Sequence, residues 1–287
     1  MNLAHVLWLF GVAVGASALG GMLGMAGGIF IVPILTLFGH LDIRTAIGAS
    51  IVSVIACSCG SAAQFLESGL TNIRLAVLLE TATTAGALTG VLLAGIIPVP
   101  YLYFLFALVL AVSAKQMMSR RGEPAALAPT ANGSGWSAAL RLDSTYPDRT
   151  FGQTVAYQVQ RVPMGMSLMY GAGLISALLG IGSGVLKIPA MDTALRLPIK
   201  VSSATSNFMI GVTAAASAGA YFMRGEIIPA VAGPVALGSV IGSILGARIL
   251  MAISNDRIRL FFVVVLVALA IQMLLSAFGV HLVGGSE

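Results

Sequence analysis

GMLGMAGGIFIVP at residues 21–33 and ALLGIGSGVLKIP at residues 177–189 decide the architecture. Each sets a cluster of glycines inside apolar sequence, and each follows its last glycine (Gly28, Gly184) with a proline five residues on (Pro33, Pro189). Glycine this dense costs helix stability and proline removes an amide donor, so the backbone is expected to unwind at both places. The two stretches lie 156 residues apart. Sliding the chain against itself by that offset gives 22 identities over the 103 positions from residue 15 to 117. Chance in so biased a composition gives roughly a tenth, so the excess is about twofold. Gly24 pairs with Gly180, Gly28 with Gly184, Pro33 with Pro189, Ser50 with Ser206, Gly69 with Gly225, Gly86 with Gly242 and Gly90 with Gly246. Matched glycines and prolines mark where a backbone must turn, which hydropathy alone does not dictate.

Working outward, the composition is 58% hydrophobic and 9% charged with a mean hydropathy of +0.99. A soluble domain carries about a quarter charged residues, so hydrocarbon is the solvent this chain is built for. Every backbone group must then be satisfied within the chain, by helices or a closed barrel. Long apolar runs at 101–118 and 258–278, without strict alternation, select helices. The net charge of +5 does not indicate a nucleic-acid partner: five of the 15 basic residues (Arg120, Arg121, Arg141, Arg149, Arg161) fall in one polar loop, as the positive-inside rule describes. Cys57 and Cys59, one residue apart in apolar sequence, read as small buried hydrophobes and not as a disulfide framework or metal pair. The first segment lacks a basic leader and a cleavage site and reads as a retained span.

The expected fold is an all-α polytopic membrane protein of two inverted-topology repeats, 1–118 and 163–287, joined by a polar linker at 119–162. Each repeat is a broken helical hairpin plus three transmembrane helices, giving about eight full spans and two half-helices. The first repeat reads as helices near 4–20, 28–38, 44–66, 73–95 and 101–118, and the second as helices near 163–179, 184–195, 201–222, 229–252 and 257–278. The short helices reach only about 15–18 Å, half of a hydrocarbon core of about 30 Å, so each must fold back beside its predecessor. An odd number of crossings then inverts the second repeat relative to the first. Basic residues place the linker in the cytoplasm and both termini in the periplasm of a bacterial inner membrane, with Arg44 and Arg224 as exceptions. TVAYQVQ at 154–160 alternates and predicts a short strand.

A short helix that begins at mid-membrane points free amides and a positive dipole end into the protein, a setting suited to an anion. Gly24, Gly27 and Gly28 in the first repeat and Gly180, Gly182, Ser183 and Gly184 in the second are the backbone candidates. By contrast Gly86 and Gly90, and Gly238, Gly242 and Gly246, recur every four residues and read as helix-packing positions. Lys187 is the sharpest side chain, because its repeat mate is Ile31 and the fold therefore demands no charge there. It either neutralises a bound anion or pairs with a carboxylate. Ser50, Ser202, Thr205, Ser206 and Asn207 fall on the spans that follow the short helices and supply neutral donors, with bonding back to their own helices as the alternative. Glu80 is the acidic candidate at membrane depth, as a proton carrier for coupling or as half of a buried pair. Arg248 sits near a span end, where snorkelling suffices. His5, His40 and His281 lie near segment ends, so no intramembrane enzyme, metal site or cofactor is expected. No phosphate-binding loop occurs either, leaving ion or substrate gradients as the driving force.

The repeated glycine cluster, apolar run and Val/Ile-Pro, closing in serine-containing segments (AIGASIVSV at 46–54, SSATSNFMIG at 202–211), resembles the TauE/SafE family of sulfite and organosulfonate exporters. The resemblance covers both repeats and implies a secondary transporter of small anions such as sulfite or short sulfonates, moved by alternating access around a central site. Lys187 and the serines are then the groups for sulfonate oxygens. Two departures stand out: the third glycine of the usual triplet is Ala26 in one half and Ser183 in the other, and the linker is long for the family. An anion-selective channel and a carrier of short carboxylates are the competing readings. The anion, direction, coupling ion and oligomeric state stay open at this level.

Overall fold

The computed structural model describes residues 3–22, 27–67, 69–119, 136–148, 153–250 and 255–278. Ten of its helices follow the expected series closely: α1 (Leu3–Met22), α2 (Gly28–Leu37), α3 (Ile43–Glu67), α4 (Ile73–Ala94) and α5 (Val99–Ser119), then α7 (Val162–Leu179), α8 (Gly184–Leu195), α9 (Ile199–Met223), α10 (Pro229–Leu250) and α11 (Asn255–Ala277). Between them lie a single turn, α6 (Trp136–Ala139), and two strands, β1 (Ser144–Asp148) and β2 (Gln153–Tyr157). The strands form an antiparallel hairpin with Tyr146 opposite Val155. Alternation predicted β2 but not β1, whose STYPD sequence carries no apolar alternation and is extended by pairing alone.

Repeat mates keep their backbone geometry. His40 and Arg196, which close α2 and α8, both take positive φ (51° and 53°), as do Gly69 and Gly225 after α3 and α9 (68° and 73°). The expected break is present in the second half, where α7 ends at Gly180 with φ +63° and Gly182 has φ +69° before α8 begins. In the first half α1 ends at Met22 and α2 starts at Gly28. Gly24 lies outside the described residues. Pro33 and Pro189 do not stop their helices but sit in the second turn of α2 and α8. A proline there removes one intrahelical donor without ending the turn, since its fixed φ is helical.

Helices pack crosswise between the halves: α1 against α10, α4 against α7, α3 against both α9 and α10, and α5 against α11. The four-residue glycine ladders make this contact. On α10 a Cβ at Gly238, Gly242 or Gly246 would strike the carbonyls of Phe10, Val14 and Ala18, and on α4 one at Gly86 or Gly90 would strike those of Tyr170 and Leu174. Removing the side chain is what lets these axes approach.

Polarity runs opposite to that of a soluble protein. Outward faces carry Phe104, Leu108 and Val112 on α5, Leu237, Ile241 and Leu245 on α10, and Val264, Val267 and Ile271 on α11. The interior holds Ser50, Ser53, Thr83, Ser202, Thr205, Ser206 and Lys187. Such apolar outer stripes would be a liability in water and suit lipid. Five helices, α1, α3, α4, α7 and α10, are long and apolar enough to cross a membrane. The 25-residue α9 has the length, but its hydroxyls and Asn207 lower its hydropathy because that face is buried in protein.

Candidate functional site

The start of α2 meets the break between α7 and α8. A Cβ built on Gly28 would lie 2.8 Å from the Gly180 carbonyl oxygen, 2.8 Å from Ser50 Oγ and 2.9 Å from the Ile181 carbonyl carbon. Ser50 Oγ, on α3, donates to the same Gly180 oxygen at 2.7 Å. Only glycine permits this approach of one half to the other, and Gly180 itself needs the left-handed conformation. Gly27 is equally enclosed, with Ser17 Oγ 2.6 Å from where its Cβ would be.

Neither short helix is capped by a side chain: Gly27 has none, and the Ser183 hydroxyl makes no cap bond. The Ser183 and Gly27 carbonyls accept the first helical bonds, from Leu186 and Lys187 and from Phe30 and Ile31. The earlier amides of each helix have no intrahelical acceptor, as at any helix start. Three hydroxyls of the second half are buried without a hydrogen-bond partner: Ser183 at the start of α8, and Ser202 and Ser206 on α9, which packs against α8. A buried polar group left unpaired costs about 1–3 kcal/mol, so three together call for an explanation. Ser202 and Ser206 are one turn apart on α9, and Ser206 is the repeat mate of Ser50.

Thr205 has a different role, accepting the Asn72 backbone N–H at 3.2 Å. Asn72 caps α4 by accepting from Leu75 N, and its amide donates to the Leu142 carbonyl (2.8 Å) and to Tyr157 Oη (2.9 Å). These bonds fasten the linker hairpin to the α3–α4 turn and α9. Asp143 Oδ1 completes the fastening by accepting from Ser137 Oγ and Val159 N. Asn207 is buried, and its backbone carbonyl accepts Ser58 Oγ from α3 at 2.7 Å.

Lys187 and Glu80, considered separately in the sequence, are partners. Lys187 is wholly buried on α8, and its Nζ lies 3.2 Å from Glu80 Oε2 on α4 and 2.7 Å from Thr213 Oγ1 on α9. The Thr213 hydroxyl is 2.6 Å from Glu80 Oε1, which also accepts Thr84 Oγ1 at 3.2 Å. Of the two roles each residue could take, pairing is the one this conformation displays. Thr213 escaped the sequence reading. Its signal was its place on α9, seven residues and so two turns beyond Ser206 on the same stripe, with Cys57 as repeat mate.

At the opposite end of α9, Arg224 donates to the Val91 carbonyl at 2.6 Å, and Arg44 lies 4.0 Å from Glu226. The two exceptions to the charge rule are thus tied to helix ends. Among the described residues no group of three or more potential metal-ligating side chains occurs.

Comparison with known proteins follows the same lines. The chain is 23% identical over 267 residues to the probable membrane transporter protein YunE of Bacillus subtilis (strain 168), covering 90% of this chain and 93% of that one. It is 23% identical over 249 residues to the probable membrane transporter protein YdhB of the same organism, covering 86% and 89%. No solved structure matches the chain. The profile described as Sulfite exporter TauE/SafE matches residues 9–273, nearly the whole length, and the chain belongs to that family.

Proposed function

We propose that this protein is a secondary transporter that exports a small anion, sulfite or a short organosulfonate, across the bacterial inner membrane. The names of the relatives and the family description support the transporter class, and the family description alone, Sulfite exporter TauE/SafE, favours the substrate class. In this reading the two repeats are inverted, which accounts for the crosswise packing of α1 on α10 and of α7 on α4. The halves rock about a central site, with the linker hairpin on the cytoplasmic side and both termini periplasmic.

The single observation that carries the site is the set of unpartnered buried hydroxyls: Ser183 at the uncapped start of α8, and Ser202 and Ser206 on α9, which packs against that helix. The repeat extends this: Ser50 lies against Gly28, and by the same relation Ser206, its repeat mate, would lie against Gly184. An oxyanion there would accept from the hydroxyls and from the first amides of α8, at the positive end of its dipole. Gly28 and Gly180 hold the two halves in contact beside it, Gly27 fits against Ser17 of α1, Gly182 supplies a left-handed turn, and Gly24 is the repeat mate of Gly180.

The test is flux in proteoliposomes with radiolabelled sulfite and methanesulfonate, comparing wild type with Ser202→Ala/Ser206→Ala. A hydrogen bond to a charged group is worth about 1.5–3 kcal/mol, so KM should rise about tenfold or more. The melting temperature should not fall, because the deleted hydroxyls have no hydrogen-bond partner within the protein. An unchanged KM would show that the anion sits elsewhere.

A further inference from the structure

The Glu80, Lys187 and Thr213 cluster has two satisfied hydrogen-bonding arrangements, and the second requires one more proton. In the first, seen here, Glu80 accepts from three donors: Lys187 Nζ on Oε2, Thr213 and Thr84 on Oε1. In this arrangement Glu80 is written as the carboxylate, which has only acceptors to offer. Thr213 Oγ1 is itself an acceptor for Lys187 at 2.7 Å, and it lies 3.1 Å from the Met209 carbonyl, a second target for its own proton. If the ammonium leaves, Thr213 loses a donor and Glu80 loses its counter-charge. A proton on Glu80 repairs both, because the new carboxyl O–H can donate to the vacated Thr213 oxygen while Thr213 donates to Met209.

The ammonium has a place to go. Lys187 is one turn into α8, and a helical side chain leans toward its helix N-terminus, so the arm runs back along the first turn. That is the end assigned above to the anion, and the present inference rests on that assignment. Charge balance decides the rest. The empty site holds one cation and one carboxylate, and adding a monoanion at low dielectric leaves a net negative charge whose burial is costly. Protonating Glu80 restores neutrality.

We infer that Glu80 is the proton site of the carrier, with Lys187 shared between Glu80 in the empty state and the anion in the loaded state. Loading takes one proton from the facing solution onto a Glu80 carboxylate oxygen as Lys187 turns to the anion. Release reverses both steps, so anion and proton cross together in a one-to-one, electroneutral cycle whose direction the two gradients set, export running when the outward anion gradient exceeds the inward proton gradient. Other charged or titratable groups on the packed elements are engaged or outlying: Arg74 of α4 reaches the Arg141 carbonyl, Tyr170 of α7 bonds Thr89, and Tyr221 of α9 bonds the Ala177 carbonyl. On α8, Asp192 and the closing Arg196 lie toward the helix C-terminus, away from the first turn. The repeat mates of Lys187, Glu80 and Thr213 are Ile31, Ala236 and Cys57, a set drawn from both halves without charge, so the frame does not need the charges.

The experiment uses full-length protein in vesicles with an internal pH dye and methanesulfonate, which stays ionised and does not itself buffer. A gradient of one pH unit should drive about tenfold accumulation of methanesulfonate on the alkaline side in wild type, with matching proton entry. Glu80→Gln should move methanesulfonate only down its own gradient. Glu80→Ala/Lys187→Ile copies the residues of the repeat mates, Ala236 and Ile31, and should remain folded without coupling. Methanesulfonate movement without proton entry, or equal accumulation by wild type and Glu80→Gln, overturns the proton site while leaving anion transport in place. If wild type moves no methanesulfonate under either gradient, the anion site fails and the coupling inference with it.

Discussion

Gly28→Ala is the perturbation that most directly tests whether the two halves meet at the short helices. The added methyl would stand 2.8 Å from the Gly180 oxygen and from Ser50 Oγ and 2.9 Å from the Ile181 carbonyl carbon. Two of the three neighbours are backbone in a turn held at φ +63°, so neither can swing aside as a side chain would. The break must shift bodily, and the 2.7 Å bond from Ser50 to Gly180 goes with it. Overpacking of this kind costs about 1–3 kcal/mol and the lost bond about 0.5–1.5 kcal/mol. Better helix propensity returns at most about 1 kcal/mol, leaving a net loss of about 1–3 kcal/mol. Gly171→Ala in α7 is the control, since nothing lies within 4 Å of its added Cβ. Thermal unfolding in detergent should place Gly28→Ala below wild type and Gly171→Ala level with it or above. Anion flux should fall sharply in the first and persist in the second. If both variants melt together and transport alike, the contact between α2 and the second break plays no part in the folded protein.

Tyr157→Phe removes the hydroxyl that accepts from Asn72 and should weaken attachment of the linker hairpin by about 1 kcal/mol. Limited proteolysis of residues 119–162 should then run several-fold faster, and an unchanged cleavage rate would mean that the hairpin is held by its apolar contacts alone. Glu226 offers a pH signature outside the spans: burial pushes its carboxyl above the ordinary 4.5, while Arg224 and Arg44 draw it partly back. The folded state thus holds this proton more tightly than the unfolded chain. The resulting stabilisation is full below about 4.5 and is lost as pH rises through the higher folded value. Melting temperature plotted against pH should therefore decline less for Glu226→Gln than for wild type across that window, and parallel curves would contradict a raised carboxyl.

The helices were readable because their causes are local. Apolar runs of span length, glycine clusters and the 156-residue repeat placed ten helices within a few residues of where they lie. The glycine ladders at Gly86, Gly90, Gly238, Gly242 and Gly246 were readable for the same reason: small residues at four-residue spacing form one face of one helix. What could not be read was partnership across sequence distance. Lys187 and Glu80 are 107 residues apart, and Thr213 and Glu80 are 133 apart. Nothing in local pattern links α4 to α8, so each residue kept two open roles until the packing of α4, α8 and α9 joined them. Asn72 and Tyr157 are the same case, a cap and a strand end that become one anchor only in three dimensions.

Comparing repeat mates separates frame from chemistry more sharply than burial does. His40 and Arg196 share a left-handed turn, and Gly69 and Gly225 share another, so both halves obey one backbone plan. Within that plan Lys187 and Thr213 of the second half join Glu80 of the first, while their repeat mates Ile31 and Cys57 of the first half and Ala236 of the second form the matching set without charge. A buried ion pair contributes little net stability over apolar residues of similar volume, and this protein carries both solutions in related frames. The charges are then hard to explain by folding and easy to explain by an exchange of partners. The hydroxyls follow the same division, with Ser183 facing Gly27 and Ser202 facing Ala46 as mates. The second half brings Lys187, Thr213 and the unpartnered hydroxyls, while the first half brings Glu80 to the ion pair and Gly28 and Ser50 to close against the break.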